Sequence, residues 1–571
     1  MGIHTITFGT HNELYRFSNL FLQDIYGTYY FNTPEDLYAG KINRYRYAHP
    51  NTNLPGVTES WEPTFKAAQL GFYAQDKMTI TPNFDLTLGL RVDVPLFLDE
   101  PTENPDLTNL SNKYGWGLNT AKTIKGAPLF SPRLGFRWDI AGNRKYVLRG
   151  GAGMFTGRIP FVWFSNNYSN TGVQLTTYDV RSPHVDIIYD PSKQGQNEAK
   201  MAAGGSQVVN TVDPNFNLTQ TLKFDLGFDF RALGIDWTVE GIFTKNLNDI
   251  MYTNPLLQKT GKTVGQDFPS LSYDSRPRFA KIPDAGKVGY IYNLTNTNKG
   301  YAYNVMVSAN KHFNFGLDIN ASYTFTQSKS VFNGTSSVAQ SNFNYNYHHS
   351  DVNDPELSWS AYNIPHQVKV AANYHKTYGR DHWTTTVGAV YIGTSGAAYS
   401  MYYNGDINND GSNGNDLMFI PTEAQLDAAI FTPGTGSNAK YTADVQKANM
   451  KQWLANTDYL KDHRGEYFDR YAANMPFENH VDVHVGQKFS FKVGRQTHGI
   501  ELIADIINFT NMLNPKWGRS YGMGINNYYS PVTVDAKNGN LQFLHDGDYD
   551  MFSFADYYSR WKVQVGVRYT F

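Results

Sequence analysis

Arg560-Trp561-Lys562-Val563-Gln564-Val565-Gly566-Val567-Arg568-Tyr569-Thr570-Phe571 alternates without a break. Trp561, Val563, Val565, Val567, Tyr569 and Phe571 fall on one face of an extended chain. Arg560, Lys562, Gln564, Gly566, Arg568 and Thr570 fall on the other, because side chains of a strand alternate with period two. One face suits lipid and the other suits water. That is the pattern of a transmembrane β-barrel strand.

The same alternation recurs upstream. Phe84, Leu86, Leu88, Leu90 and Val92 oppose Asp85, Thr87, Gly89, Arg91 and Asp93. Leu222, Phe224, Leu226, Phe228 and Phe230 oppose Lys223, Asp225, Gly227, Asp229 and Arg231. Leu317, Ile319, Ala321, Tyr323 and Phe325 oppose Asp318, Asn320, Ser322 and Thr324. On a helix these sets would mix on every face.

Strands are expected near 3–12, 64–79, 84–97, 129–140, 145–157, 221–232, 235–248, 299–312, 315–328, 366–377, 381–397, 479–492, 497–511 and 560–571, fourteen in all. Six connections are tight and carry Gly, Asn or Pro: 80–83, 141–144, 233–234, 313–314, 378–380 and 493–496. Such residues suit hairpin turns. The seven between them run from about 30 to about 80 residues. Short and long connections alternate strictly, as periplasmic turns and extracellular loops do in outer-membrane barrels. The fold class expected is therefore all-β, a transmembrane antiparallel β-barrel with short helices in long extracellular loops. The last strand then runs down to the periplasm and the first runs up.

Composition fits this reading. The mean hydropathy is -0.48, and no run of 18 apolar residues exists, so no spanning helix is expected. Aromatics make up 15% of the chain, with 40 Tyr and 36 Phe, more than a soluble core needs and suited to interfacial girdles. A net charge of -2 gives no field for nucleic acid. Cysteine is absent, so disulfides, thiolate metal sites and Cys nucleophiles are excluded. Met1 is followed at once by the polar, strand-like GIHTITFGTH rather than by a basic and then an apolar region. The expectation is that the chain lacks its signal peptide and true amino-terminus, and that the edge of 560–571 is left open or forced onto 3–12.

The loops carry local signals. Helical stretches are expected within 33–48 and 422–463, with Thr422 as a cap and Gln425 three residues on. The runs 165–170 and 342–349 are rich in Asn and Tyr. They read either as self-packed loop or as ligand-contacting surface. The sharpest motif is Asp406-Ile-Asn408-Asn-Asp410-Gly411-Ser412-Asn413-Gly414-Asn415-Asp416. Oxygen ligands at positions 1, 3 and 5 with Gly at 6 match the first half of a Ca²⁺ loop. Leu417 stands where the bidentate Glu belongs, and Asp416 is the substitute. The candidate ligands are Asp406, Asn408, Asp410, Ser412 and Asp416, with an acidic turn as the alternative. A structural Ca²⁺ is the one cofactor considered.

Nothing suggests catalysis. No HExxH occurs, His348 and His349 should point apart, and Gly150–Gly153 lies in a strand without a following Gly-Lys. The inward charges Asp85, Arg91, Asp93, Arg133, Arg137, Lys223, Asp225, Asp229, Arg231, Lys369, Asp482 and Asp505 read as lumen wall rather than as a glycosidase pair. Arg464 and Arg470 are expected to have structural roles.

The chain resembles the β-barrel of TonB-dependent outer-membrane transporters of the Oar-like type. The resemblance rests on Leu70–Lys77 followed by Leu86–Asp93, and on Phe130–Phe136 leading to Leu148–Gly151. Arg464-Gly465 with Arg470, Asp505 with Asn508, Asn511–Asn514 before Trp517-Gly518, and terminal Phe571 add to it. It implies a 22-stranded barrel around an amino-terminal plug. Residues 1–571 would be its carboxy-terminal portion, with plug and signal peptide absent. Implied partners are outer-membrane lipid, an extracellular ligand of unknown identity, and the TonB complex through a missing amino-terminal region only. The alternatives are a passive outer-membrane binding or adhesion barrel, and a soluble glycan-active β-protein.

Overall fold

The computed structural model describes residues 2–571 except 20–22, 125, 159, 182–183, 202–206 and 525–526. Fourteen long strands follow one another in chain order in one antiparallel sheet. They are β1 (His4–Ser18), β2 (Thr64–Thr81), β3 (Phe84–Phe97), β4 (Leu129–Asp139), β5 (Tyr146–Thr156), β6 (Gln220–Ala232) and β7 (Ile235–Thr253). Then come β8 (Tyr301–Phe313), β9 (Leu317–Ser330), β10 (His366–Tyr378), β11 (Trp383–Thr394), β12 (Glu478–Val493), β13 (Gln496–Ile507) and β14 (Lys562–Thr570). Each pairs with the next.

All fourteen expected strands are present, most within two residues of their expected ends. β1 runs on to Ser18, which pairs with Thr64. β7 runs on because Asp249–Thr253 gains a partner in the loop strand Val288–Thr297. β11 stops at Thr394. β13 stops at Ile507 rather than 511, because Asn508 takes a φ of 54° and a short helix follows. Among the described residues β1 and β14 do not pair with each other, so both sheet edges are open. In lipid, each unpaired backbone group at such an edge costs several kcal/mol, roughly.

The register keeps like with like. Val565 faces Ala504, Val567 faces Leu502 and Tyr569 faces Ile500 on the apolar side. Arg568 faces Glu501 and Gln564 faces Asp505 on the polar side. Burial is inverted relative to a water-soluble sheet. Leu226 in β6 is 55% exposed and Val565 in β14 is 78% exposed. Such rows of bare hydrocarbon are stable only against lipid. No helix among the described residues is long and apolar enough to cross a membrane.

The tight turns gather at one end. Leu233 and Gly234 both have positive φ, 56° and 69°, as a two-residue hairpin of the favoured twist requires. Aromatic rings girdle the same end. Phe230 stacks on Trp237, Trp383 meets Phe489 at 4.7 Å between centroids, and Tyr569 stacks on Phe571. An aromatic band there sets the depth at which the sheet meets the headgroups.

The seven long loops gather at the other end: L1 (19–63), L2 (98–128), L3 (157–219), L4 (254–300), L5 (331–365), L6 (395–477) and L7 (508–561). Apart from Val147 beside a tight turn, the buried hydrophobic residues lie in these loops and at the strand ends below them. One cluster joins Val264 and Leu271 of L4, Met401, Trp453 and Leu460 of L6, and Val532 and Phe543 of L7. A second joins Trp163, Val212, Tyr252, Tyr292 and Phe343 from L3, β7, L4 and L5. The loops thus fold as a cap with cores of its own.

Helices occur in the cap, though not all where expected. In 33–48 the helix is only Pro34–Tyr38, while Arg44–Pro50 is a strand paired with Leu175–Arg181. In 422–463 there are three helices, including the longest, over Ala443–Asn456. Thr422 forms the expected box, its Oγ1 accepting from Gln425 N while Gln425 Oε1 accepts from Thr422 N. Pro105–Tyr114 is a further helix, opened by Asn104 and closed by Gly115 at φ 70°.

Candidate functional site

The polar face of the sheet is a wall of ion pairs. Arg91 Nη2 meets Asp93 Oδ1 at 2.7 Å, and Lys77 Nζ lies 3.6 Å from Asp85. Arg149 reaches Asp229 at 3.2 Å and also binds Glu240. His484 Nδ1 meets Asp505 at 2.6 Å. Arg133 lies over the Phe155 ring at 4.8 Å. Most of these pairs link neighbouring strands, and apart from the buried Asp93 their side chains are partly exposed. They keep a wet surface wet, which is the lumen-wall reading.

Above this wall the cap contains a polar cleft of about 720 Å³ between L1, L2, L3 and L4. Asn51, Asp106, Asn170, Thr176, Gln207 and Lys287 line it. Helix Pro105–Tyr114 positions Asp106, and Gln207 Nε2 donates to it at 3.0 Å. Asn104 Nδ2 steadies Gln207 from behind, also at 3.0 Å. Amides, hydroxyls and one charge of each sign suit a polar ligand. The cleft draws on four loops far apart in sequence, and no local motif announces it.

The Asn- and Tyr-rich runs turn out to be packing. Residues 165–169 lie in the helix Phe161–Ser169, where Asn166 Nδ2 donates to Ser337 O and Tyr168 Oη donates to Asp99 O. In 342–349, Asn342, Phe343, Tyr347 and His348 are buried, and only part of the run is exposed. The self-packed reading holds for 342–349 and for most of 165–170, although Ser169 and Asn170 also line the cleft.

The Asp406–Asp416 loop is the most heavily knotted part of the cap. It sits in L6 between the strand Ala398–Asn404 and the pair Phe419–Ile420. Asp406 accepts from Asp410 N and Gly411 N, both at 3.0 Å. Asn408 Oδ1 accepts from Asp410 N at 3.0 Å. Asp410 accepts from Ser412 N at 2.8 Å and from Asn415 Nδ2 at 2.7 Å. Asp416 accepts from Ile407 N and from Arg276 Nη1, both at 3.0 Å. Ser412 Oγ points elsewhere and donates to Asn344 O. Of the five candidate ligands, Asp406, Asn408 and Asp410 share one hydrogen-bonded turn to which Ser412 contributes its backbone, while Asp416 turns to Ile407 N and Arg276.

The knot is dry and strongly charged. Asn408, Asp410, Asn415 and Asp416 are all buried. Burial, reinforced by Asp410 and Asp416, pushes the Asp406 carboxyl up to about 7. Burial also raises Asp416, against the pull of Arg276. His348 lies 3.5 Å from Asp410 Oδ2. Burial opposes its charging, but Asp410 together with Glu356 and Asp416 outweighs burial and raises it. His349 points away and stacks on Tyr467, so the two imidazoles diverge as expected.

Two arginines have the structural roles expected of them. Arg464 Nη1 donates to Pro421 O. Arg470 is 1% exposed and donates to Val331 O and Ser330 O and to Asn346 Oδ1, tying L6 to L5. Its burial lowers it from the usual guanidinium range.

Residues 1–522 match the model of the outer membrane beta barrel domain family, and the chain belongs to that family. It is accordingly a protein of the outer membrane. No curated protein matches it. Several solved structures align at low identity. The outer membrane transporter YddB from Escherichia coli aligns over 99% of this chain and 52% of its own, at 11% identity and a TM-score of 0.45. A mutant of the ferric enterobactin receptor PfeA from Pseudomonas aeruginosa, in complex with enterobactin, aligns over 99% and 55%, at 10% and 0.39. The siderophore receptor PirA from Acinetobacter baumannii aligns over 89% and 51%, at 9% and 0.35. The chain spans about half the length of these structures.

Proposed function

We propose that this chain forms the membrane barrel of a TonB-dependent uptake receptor. It captures a polar nutrient at the cell surface and has no catalytic role. The observation that carries the reading is the cap. The loops, rather than lying as separate flaps, share hydrophobic cores above a charged lumen wall: L4, L6 and L7 in one, L2 to L5 in a second, and L1 with L3 in a third. Four of them, L1 to L4, also line an open cleft of about 720 Å³ that carries polar side chains. A simple diffusion pore needs an open mouth, whereas a receptor needs a built surface on which a ligand is held before passage. Membership of the outer-membrane barrel family supports the setting. The sequence resemblance to TonB-dependent transporters supports the coupling. The soluble glycan-active reading is set aside by that membership and by the lipid-suited rows on the sheet.

The test is genetic. A deletion of the gene and a deletion of the inner-membrane energising complex are grown on a panel of oligosaccharides, peptides, ferric siderophores and cobalamin. A growth defect on one panel member shared by both deletions supports energised uptake. A defect in surface attachment alone, with growth unchanged on the whole panel, supports the passive adhesion barrel instead.

A further inference from the structure

We propose that the loop Asp406–Asp416 binds one Ca²⁺, held by oxygens of Asp406, Asn408, Asp410 and Asn415, and that the ion locks L6 against L4 and L5. This goes beyond the uptake reading and does not depend on it.

Charge is the first reason. Asp274, Asp410 and Asp416 have side chains 0% exposed, and Asp406 lies beside them. Against these four carboxylates the knot places one fully buried cation, Arg276, which bridges Asp274 at 2.9 Å and Asp416 at 3.0 Å. His348 is the one further titratable base in contact with Asp410. Buried charge is tolerated when it is paired, coordinates a metal or is neutralised by a proton, and even with Asp406 protonated the remaining three carboxylates outnumber Arg276. A divalent cation supplies the missing positive charge.

The second reason is independent of the carboxylates. Asn415 is 0% exposed, and its Oδ1 has no hydrogen-bond partner. The Nδ2 of the same amide touches Asp410 Oδ2 at 2.7 Å, so the bare oxygen lies at the edge of the acidic cluster. A buried carbonyl oxygen without a donor is destabilising, and a hard cation satisfies it directly.

The ion class follows from the donors. No three His, Cys, Asp or Glu side chains converge on one point among the described residues. A zinc-type cage is therefore absent there, and a bound ion has to accept amide oxygens and water alongside carboxylates. Ca²⁺ does so in its 6–8 oxygen shells, whereas Mg²⁺ demands a tighter octahedron. Asp416 stays with Arg276, and Ser412 stays with Asn344. The loop also touches its neighbours directly. Phe279 N donates to Asn408 O, and His348 N donates to Asn415 O, so ordering this loop orders L4 and L5.

The experiment uses the full chain folded in lipid vesicles and stripped with chelator, with Tb³⁺ as the probe. The Tyr290 and Tyr402 rings lie beside Gly411 and Gly414 and serve as antennae for sensitised luminescence. The expected result is a signal that saturates at one ion per chain and is displaced by Ca²⁺ but not by equal Mg²⁺. Asp410→Asn should weaken binding by at least about tenfold. Asp548→Asn, in exposed L7, should leave it unchanged. Ca²⁺ should also slow protease cleavage in L6 of the wild-type chain relative to chelator. Absence of a saturable wild-type signal overturns the proposal, as does unaltered binding in folded Asp410→Asn. If that variant does not fold, the wild-type titration and proteolysis still decide.

Discussion

Arg276 and Asp416 meet at 3.0 Å with side chains 1% and 0% exposed, joining L4 to L6 across 140 positions of sequence. Removing one partner of such a buried pair costs about 3–5 kcal/mol, because the other charge is left uncompensated. Arg276→Met strands both Asp274 and Asp416. The expected outcome is a cap cleaved much faster by added protease while the strand signal in circular dichroism is unchanged. Equal cleavage rates in variant and wild type would show that the pair does not hold the cap.

The division between what was legible in the sequence and what was not follows this pair. The strands could be read because lipid on one side and water on the other force a period of two, as in Leu222–Arg231 and Trp561–Phe571. The turns could be read because positive φ calls for residues such as Gly234. The Asp406–Asp416 spacing identified a knot by local chemistry. Its charge partner Arg276 lies in another loop and carries no local mark. Strand Arg44–Pro50 escaped for the same reason, since it is set by packing within the cap. Helix Pro105–Tyr114 did carry local marks, the Asn104 cap, Pro105 and Gly115, on a segment short enough to pass for loop. In 33–48 the helix opened at Thr33-Pro34 ends at Tyr38, because Arg44–Pro50 pairs with Leu175–Arg181.

Arg470 binds two acceptors of L5, Val331 O and Asn346 Oδ1, and one at the end of β9, Ser330 O, in a planar fork. Lysine carries the charge but not the fork, so the substitution is not conservative here. Arg470→Lys should loosen L5 and expose new cleavage sites within 331–365, detectable by limited proteolysis and mass mapping. A cleavage map identical to wild type would count against the tie.

Gly316 closes the turn between β8 and β9 at φ 96°, and a Cβ there would lie 2.2 Å from His375 O. Gly316→Ala should destabilise the sheet by more than about 1 kcal/mol, since the residue has both a forbidden φ and a backbone clash. The check is the temperature at which the heat-modifiable gel band is lost. No downward shift would mean that this turn relaxes freely.

Leu226 stands in mid-strand on the apolar row of β6, and Asp225 stands on the opposite face. Leu226→Arg should reduce folding into vesicles by about 2–4 kcal/mol if the site lies near the bilayer midplane. Asp225→Asn should be close to neutral. Denaturant titrations of both variants in the same lipid give the comparison. Similar losses in the two would argue against a lipid face.

The assignment of the two faces underlies everything else, and the absence of cysteine makes a clean scan practicable. Single cysteines placed from 222 to 229 in β6, each labelled with a fluorophore in vesicles, test it most directly. Labels at 222, 224, 226 and 228 should be quenched by brominated lipid tails. Labels at 223, 225, 227 and 229 should be quenched by aqueous iodide. Quenching that does not alternate, or that alternates in the opposite phase, would contradict a barrel strand with lipid on one side and a wet lumen on the other.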